Sequence, residues 1–526
     1  MSRLTCSPEA CDHQVFAASG QALRLDRQES SLERAGASTS AVAHAVPGTE
    51  QAGGSSDGLA ATPVSKVCLL PDGCEAFAVR VASARAALHS IDVQYYIWHS
   101  DATGRYLAHE LLQAADRGVR VRVLLDDMDA RSRDSVLVAL NRHPKIQIRL
   151  FNPFATRAGI LRTLRELFSR WSRLNHRMHN KSWIMDEELA IVGGRNIGDE
   201  YFSVSEEVNF VDMDVLLSGA AVGETLHSFE TYWRFSSSVP VSRLHRVGQS
   251  KYTLNELRTA LLAESTRFAM ETPYMQRMLK APKFSQLLSD ASRWYESDTV
   301  RIVTDDPRKA IRHAPTIDPG VLESMIESLD AADTEILLIS PYFVPGAGGT
   351  AALRELSRRG VDVTVLTNSL AATDVAAVHS GYSRYRASLL EGGVCLYELK
   401  ALAPSEHVQR MRLGSSRASL HTKAAIIDRR LVFVGSFNID PRSAQLNCEM
   451  GAWIDSEKLA CQMADLFKDA VRPENSYTVS LDERGRTRWS ELVGGVEVFH
   501  DRDPHANGWR RAVTWLLGLL PIESQL

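Results

Sequence analysis

Two segments of this chain share one pattern. His179, Lys181 and Asp186 form an H-x-K-x4-D string, followed after six residues by Gly193-Gly194-Arg195-Asn196. His421, Lys423 and Asp428 repeat that string, followed after six residues by Gly435-Ser436-Phe437-Asn438. The two histidines stand 242 positions apart. The same shift carries Ile97, Gly104, Arg117, Gly118 and Val123 onto Ile339, Gly346, Arg359, Gly360 and Val365, with no gap between Ile97 and Asn196. A repeat of this length is a duplicated domain rather than a solenoid unit. The chain must therefore fold around two copies of one unit, and chemistry offered by one motif is offered twice.

Composition narrows the setting. The 526 residues are 44% hydrophobic and 24% charged, as in soluble globular proteins, and the net charge of −4 excludes a uniformly basic nucleic-acid glove. No nucleic-acid partner is expected. The seven cysteines, at 6, 11, 68, 74, 395, 448 and 461, are odd in number and lack repeated metal-ligand spacing. They argue against a disulfide framework or zinc site and for a reducing compartment. No stretch approaches the ~20 apolar residues of a membrane span, and the N-terminus lacks the apolar run of a signal peptide. Residues 1–65, rich in Ala, Ser and Gly, read as a disordered extension or as an over-called start.

From about Leu69 the pattern becomes regular. Helices are expected over 76–88, 106–117 and 134–141, and strands over 91–98, 119–125 and 146–150. Each motif then falls on a hairpin, with strands over 181–185 and 189–193 and again over 423–427 and 431–435. Alternating strands and helices imply an α/β fold, two duplicated domains each with a helix-flanked mixed sheet. The expected units are 66–240 and 321–472, joined by a connecting segment over 241–320 and followed by an irregular tail, 473–526, with an apolar stretch. The role of Asp305-Asp306-Pro307-Arg308-Lys309 in the connection is not readable.

Residues two apart on a strand share a face, so His179 points with Lys181 and His421 with Lys423. Such a set suits a phosphodiester, whose negative charge repels nucleophiles and whose alkoxide leaves poorly. A neutral imidazole can attack phosphorus and form a phosphohistidine. A second, protonated imidazole can donate to the leaving oxygen and then deprotonate the acceptor. Lys181 and Lys423 supply positive charge, Asn196 and Asn438 can donate amide hydrogen bonds to phosphoryl oxygens, and the Gly193-Gly194 and Gly435-Ser436 pairs let backbone approach closely, with Gly194 and Ser436 as candidate substrate contacts. Asp186 and Asp428 fall at the turns, where they either close the turn or join the catalysis. The scheme needs no metal and no cofactor.

The doubled H-x-K-x4-D-x6-G-[GS]-x-N pattern resembles the phospholipase D superfamily, the HKD enzymes, over about Leu69 to Arg472. The resemblance implies two α/β domains related by a pseudo-twofold axis, with the active site at their interface. It implies His179 as nucleophile and His421 as acid and base. It also implies a carboxylate downstream of each motif that orients a histidine. Glu449 fits the second copy, and Asp212 fits the first in competition with Asp214. The wording of 93–99, 193–202 and 519–526 further resembles bacterial cardiolipin synthases of the C type. That branch implies phosphatidyl transfer from a second phospholipid to phosphatidylglycerol, by a peripheral enzyme at the cytoplasmic face of the bacterial inner membrane. Simple hydrolysis to phosphatidic acid would use the same residues, as would a phosphodiesterase. Nothing in the sequence identifies an activating protein partner.

Three further signals stay open. Arg157, Arg162, Arg165, Arg170, Arg173 and Arg177 interleave with apolar residues, as on a helix lying on an anionic bilayer or on a packed helix with a solvated face. The segment from Trp509 to Ile522 either lies in a membrane interface or packs as a closing helix. His379, Tyr382 and Arg386, beside Tyr385, match a segment of the same branch and are candidate headgroup contacts. His99 reads as structural.

Overall fold

The computed structural model describes residues 64–130, 134–154, 175–205, 207–244, 250–278, 284–311, 320–401, 418–520 and 523. Residues 1–63 and the arginine-rich run from 157 to 173 lie outside them.

The first sheet takes β1 (Ser65–Leu70), β2 (Ser90–Tyr95), β3 (Arg120–Asp126), β4 (Ile146–Phe151), β5 (Ser182–Met185) and β6 (Leu189–Gly193). A short strand, β7 (Asn209–Val211), stands apart from it, and β8 (Asp214–Gly219), β9 (Ser238–Pro240) and β10 (Trp294–Ser297) complete it. The second sheet takes β11 (Val300–Thr304), β12 (Glu335–Ile339), β13 (Asp362–Asn368) and β14 (Cys395–Leu399). After the separate β15 (Ala418–Leu420) it continues with β16 (Ala424–Ile427), β17 (Leu431–Gly435) and β18 (Met450–Asp455). It ends with β19 (Ser476–Leu481), β20 (Thr487–Val493) and β21 (Val496–His500).

The strand orders expose the duplication. The run β8-β6-β5-β2-β3-β4 in one sheet matches β18-β17-β16-β12-β13-β14 in the other. In both, the three strands carried by helical crossovers are parallel and the motif hairpin is antiparallel. The tail expected to be irregular is a correction. Its alternating Tyr477, Val479, Trp489 and Val498 suit paired strands, and β19, β20 and β21 extend the second sheet. The connecting segment likewise gives β10 to the first sheet and β11 to the second.

Helices cover the sheets. In chain order these include α1 (Gly73–Ala86), α2 (Ala102–Asp116), α3 (Ala220–Arg234), α4 (Leu254–Glu271), α5 (Val321–Asp330), α6 (Gly346–Arg358), α7 (Ala376–Ser383), α8 (Glu457–Ala470) and α9 (Gly508–Gly518). Asp101 caps α2 by accepting from the Gly104 amide at 2.9 Å. Gly118 and Gly360 follow α2 and α6 at equivalent repeat positions, with φ of +98° and +94°, the left-handed stop that glycine adopts without a Cβ penalty.

The two sheets share one core. Ile184, Ala190 and Val192 of the first repeat lie in the same buried cluster as their equivalents Ile426, Val432 and Val434 of the second. Burying these side chains between the repeats, at ~1.5–3 kcal/mol each for the larger ones, fixes the motif hairpins against one another.

The apolar C-terminal stretch forms α9, which packs one face on the domain. Thr514 is buried, Arg510 donates to the Thr373 carbonyl and Arg511 to the Asp503 carbonyl. Its other face leaves Trp509, Trp515, Leu516, Leu519 and Leu520 exposed.

Candidate active site

Each motif histidine sits just before the first strand of its hairpin, and each is held by a strand of the other repeat. Met178 bridges Cys448 in parallel, and the His179 amide donates to the Cys448 carbonyl at 2.8 Å. In the same way β15 runs parallel to β7, and the His421 amide donates to the Val211 carbonyl at 2.8 Å. Cys448 precedes Glu449, and Val211 precedes Asp212. The pairing thereby delivers each carboxylate to the histidine of the opposite repeat.

The side chains meet accordingly. His179 Nδ1 lies 2.7 Å from Glu449 Oε2, and His421 Nδ1 lies 2.6 Å from Asp212 Oδ2. Glu449 thus serves the first motif and Asp212 the second, an exchange that linear proximity does not reveal. Asp214, the competitor for Asp212, is committed elsewhere, in a buried ion pair with Arg80 at 2.9 Å. An ionised carboxylate only accepts, so each Nδ1 carries the shared proton and each Nε2 is left with its lone pair.

Burial dominates the electrostatics. Desolvation pushes the His179 imidazole down to about 4, with Lys181 and Lys423 adding to the effect and Glu449 opposing it. Burial, with Lys423 and Lys181, also lowers His421 against the pull of Asp212. Lys181 is pushed down to about 7 and Lys423 to about 8, chiefly by burial. Burial alone would raise the two acids. His179 and Lys181 hold Glu449 below its ordinary range, and His421 and Lys423 do the same for Asp212. Each histidine thus feels the lysine of the other motif, as expected of a single cationic cluster.

Both lysines donate to the backbone carbonyl of their own motif histidine at 2.5 Å. Lys423 Nζ also lies 2.9 Å from His421 Nδ1. Aromatic rings wall the imidazoles. Tyr96 stands edge-on to His179 at 5.0 Å between centroids, and Tyr201 and Phe210 lie 5.2 and 4.9 Å from His421.

Several expected roles change. Asp186 and Asp428 lie at the far ends of β5 and β16 from the histidines. Asp186 accepts from the amides of Leu88, His89 and Ser90, and Asp428 from those of Asp333, Thr334 and Glu335. Both sit at positive φ, 52° and 50°, where Asp is tolerated in a hairpin turn. They tie the hairpin to the loop entering β2 or β12, so of the two roles open to them in the sequence they take the turn-closing one, and the catalytic one is dropped. Gly194 and Ser436 face the acids rather than an open substrate site. A Cβ on Gly194 would meet Asp212 Oδ1 at 2.2 Å, and Ser436 Oγ donates to Glu449 Oε2. Asn196 accepts from the Ile97 amide at 3.1 Å and donates to the Tyr201 hydroxyl at 3.0 Å, so it positions the Tyr201 ring. Asn438 is buried beside the second motif, with no hydrogen-bond partner at Oδ1 among the described residues.

The proposed headgroup contacts are also corrected. His379 and Arg386 both bind Asp503 at 3.0 Å, Arg386 pairs with Glu398 at 3.0 Å, and the Arg386 guanidinium lies over the Tyr382 ring. This buried network anchors the C-terminal tail to the second sheet. Arg177 joins no surface stripe. It is fully buried and paired with Asp126 at 3.1 Å. His99 is half-buried, 3.1 Å from Glu200.

Residues missed in the sequence prove to hold the histidines. Asp126 ends β3 and accepts from the Met178 amide at 3.0 Å. Its equivalent, Asn368, ends β13, accepts from the Leu420 amide at 2.8 Å and donates to the Leu420 carbonyl at 2.9 Å. The repeat shift of 242 links both members of each pair, which was the available signal. The unread Asp305 braces Glu449, accepting from its amide at 3.0 Å and from Lys309 at 2.7 Å.

The family model described as "Cardiolipin synthase, PLD-like domain" matches residues 81–233 and 325–471. The chain belongs to this family. Its two matched segments carry the two motifs and both exchanged acids. The chain is 40% identical over 460 residues to cardiolipin synthase C of Escherichia coli (strain K12), covering 86% of this chain and 94% of that protein. It is 25% identical to a cardiolipin synthase of Listeria welshimeri, covering 84% and 76%. Among solved structures, phosphatidylserine synthase of Haemophilus influenzae Rd KW20 superposes with a TM-score of 0.56 at 13% identity, covering 88% of this chain and 95% of that one, a likeness of fold.

Proposed function

We propose that this protein is a cardiolipin synthase, transferring a phosphatidyl group from one phospholipid to phosphatidylglycerol through a phosphohistidine. The reading is carried by the reciprocal pairs His179–Glu449 and His421–Asp212, buried between two repeats among two lysines. The match to family members named cardiolipin synthase supports it.

His179 Nε2 attacks phosphorus while Glu449 holds the Nδ1 proton and offsets the charge that grows on the ring. The bond to the headgroup oxygen breaks, and His421 donates a proton to that oxygen. A bound phosphodiester favours the imidazolium needed for this, because its negative charge opposes the depressing effect of burial and the lysines. A hydroxyl of phosphatidylglycerol then loses its proton to His421 and attacks the phosphorus. The P–N bond breaks, cardiolipin leaves and both imidazoles return to their starting forms. Lys181 and Lys423 stabilise the phosphoryl oxygens in a site shielded from water.

Among the described residues no helix is long and apolar enough to cross a membrane. A phospholipid substrate nonetheless requires contact with a bilayer, and we place the enzyme peripherally at the cytoplasmic face of the bacterial inner membrane. Purified protein given phosphatidylglycerol vesicles is the test. Cardiolipin and glycerol in equal amounts are expected, and phosphatidic acid as the only lipid product would replace transfer by hydrolysis.

A further inference from the structure

The two repeats treat one surface differently. In the first, the groove between α1 and α2 is filled by the connecting segment. Phe268 of α4 lies 5.9 Å from the Tyr106 ring and 6.5 Å from the Phe77 ring, and Tyr274 lies 6.0 Å from Phe77. In the second, the equivalent groove between α5 and α6 remains a cavity of about 800 Å³ among the described residues. That is within the ~300–1,000 Å³ in which proteins enclose ligands. Met325, Ile326 and Leu329 of α5 face Leu353 and Leu356 of α6 across it, with Phe437 beneath.

The opening is written into the sequence. The repeat shift carries Tyr106-Leu107, which help fill the first groove, onto Gly348-Gly349. A Cβ on Gly348 would meet nothing within 4 Å. Two large side chains in one copy are two absent side chains in the other, at the positions where bulk would close the cavity. Gly348 thus leaves open space where Tyr106 stands in the first repeat, whereas a Cβ on Gly349 would meet Pro345 Cβ at 3.1 Å.

The position of the groove identifies its occupant. Phe437 and Ile439 in its wall flank Asn438 of the second motif, and Asp440 follows, within electrostatic reach of Lys423 and Glu449. The loop that walls the groove with Phe437 and Ile439 also carries Ser436, which donates to Glu449 of the histidine cluster. Glu523 lines another edge, where Arg384 ties it to the end of α9 and its exposed Leu519 and Leu520. An apolar groove whose wall adjoins the second motif and whose edge adjoins an exposed apolar face suits a long hydrocarbon tethered through glycerol to a phosphorus held between the histidines.

We propose that the groove between α5 and α6 holds an acyl chain of a phospholipid substrate while its phosphodiester lies between the two histidines. The inference rests on the phosphatidyl-transfer reading, and Gly348→Tyr, which restores the residue of the first repeat, tests it. Three rates are compared: wild-type transfer with dioleoyl phosphatidylglycerol, the same with the variant, and cleavage of bis(p-nitrophenyl) phosphate, which has no acyl chain, by both. The expected result is a loss of at least tenfold in kcat/KM on the dioleoyl lipid, with the acyl-free diester unchanged. Equal kcat/KM on the dioleoyl lipid overturns the groove, as does an equal loss on both substrates. A wild type that transfers no phosphatidyl group overturns the functional reading instead. Phosphatidylglycerol with a diazirine in its acyl chain gives a direct readout on the unmodified protein. Cross-links on α5 or α6 support the assignment, and cross-links confined to other segments overturn it. Labelling of the groove only after removal of residues 521–526 would make the chain's own terminus the occupant and also overturn it.

Discussion

Glu449→Gln should impair the chemistry of His179 rather than that of His421, although Glu449 lies 28 positions from His421 and 270 from His179. The substitution keeps the shape and a hydrogen-bond acceptor but removes the charge that stabilises the ring as it gains a phosphoryl group. A hydrogen bond to a charged group is worth ~1.5–3 kcal/mol, which at ~1.36 kcal/mol per decade lowers the rate of nucleophilic attack about 10- to 160-fold. The p-nitrophenyl ester of phosphatidic acid isolates that step, because nitrophenolate leaves without an acid. In rapid-quench experiments with His179 as nucleophile, His179→Ala should give no nitrophenolate burst. His421→Ala should give a burst and then accumulate phosphatidyl-enzyme. Glu449→Gln should slow the burst by the stated factor, and Asp212→Asn should leave the burst and slow its decay. If Glu449→Gln behaves instead like His421→Ala, the exchange of carboxylates between the repeats is refuted, whichever histidine attacks first.

Other outcomes follow from the same geometry. Lys181 and Lys423 are protonated below about 7 and about 8, so kcat/KM should fall as pH rises through that window and their charge is lost; Lys181→Arg, which keeps the charge that is lost first, should move the alkaline limb upward in a pH–rate profile. Asp186→Ala and Asp428→Ala should each cost at least ~1.5–3 kcal/mol in urea unfolding, because each strips a charged acceptor from three amides, while the folded fraction keeps its kcat. Asp126→Asn should cost ~1.5–3 kcal/mol by the same measurement although the second repeat has Asn368 there, because it removes the charge that accepts from the buried Arg177 and from the Met178 amide. A loss below 1 kcal/mol would show that the Asp126–Arg177 pair contributes little.

The duplicated pattern determined much of this protein on its own. Strand alternation and helix stops such as Gly118 and Gly360 are local, governed by backbone conformation and by side chains a few residues apart, so both sheets' central strands were legible. The motif histidines and lysines were legible too, because two residues on one strand face share an environment in any fold. Tertiary structure decided which acid serves which histidine. That depends on β15 pairing with β7 and on Met178 bridging Cys448, contacts between segments more than 200 positions apart. It also settled Asp186 and Asp428 as turn supports, through amides more than 90 positions away, and turned Gly194 and Ser436 toward Asp212 and Glu449. Local sequence sets what a residue can do, whereas the long-range strand pairing that buries it sets which neighbour it does it to.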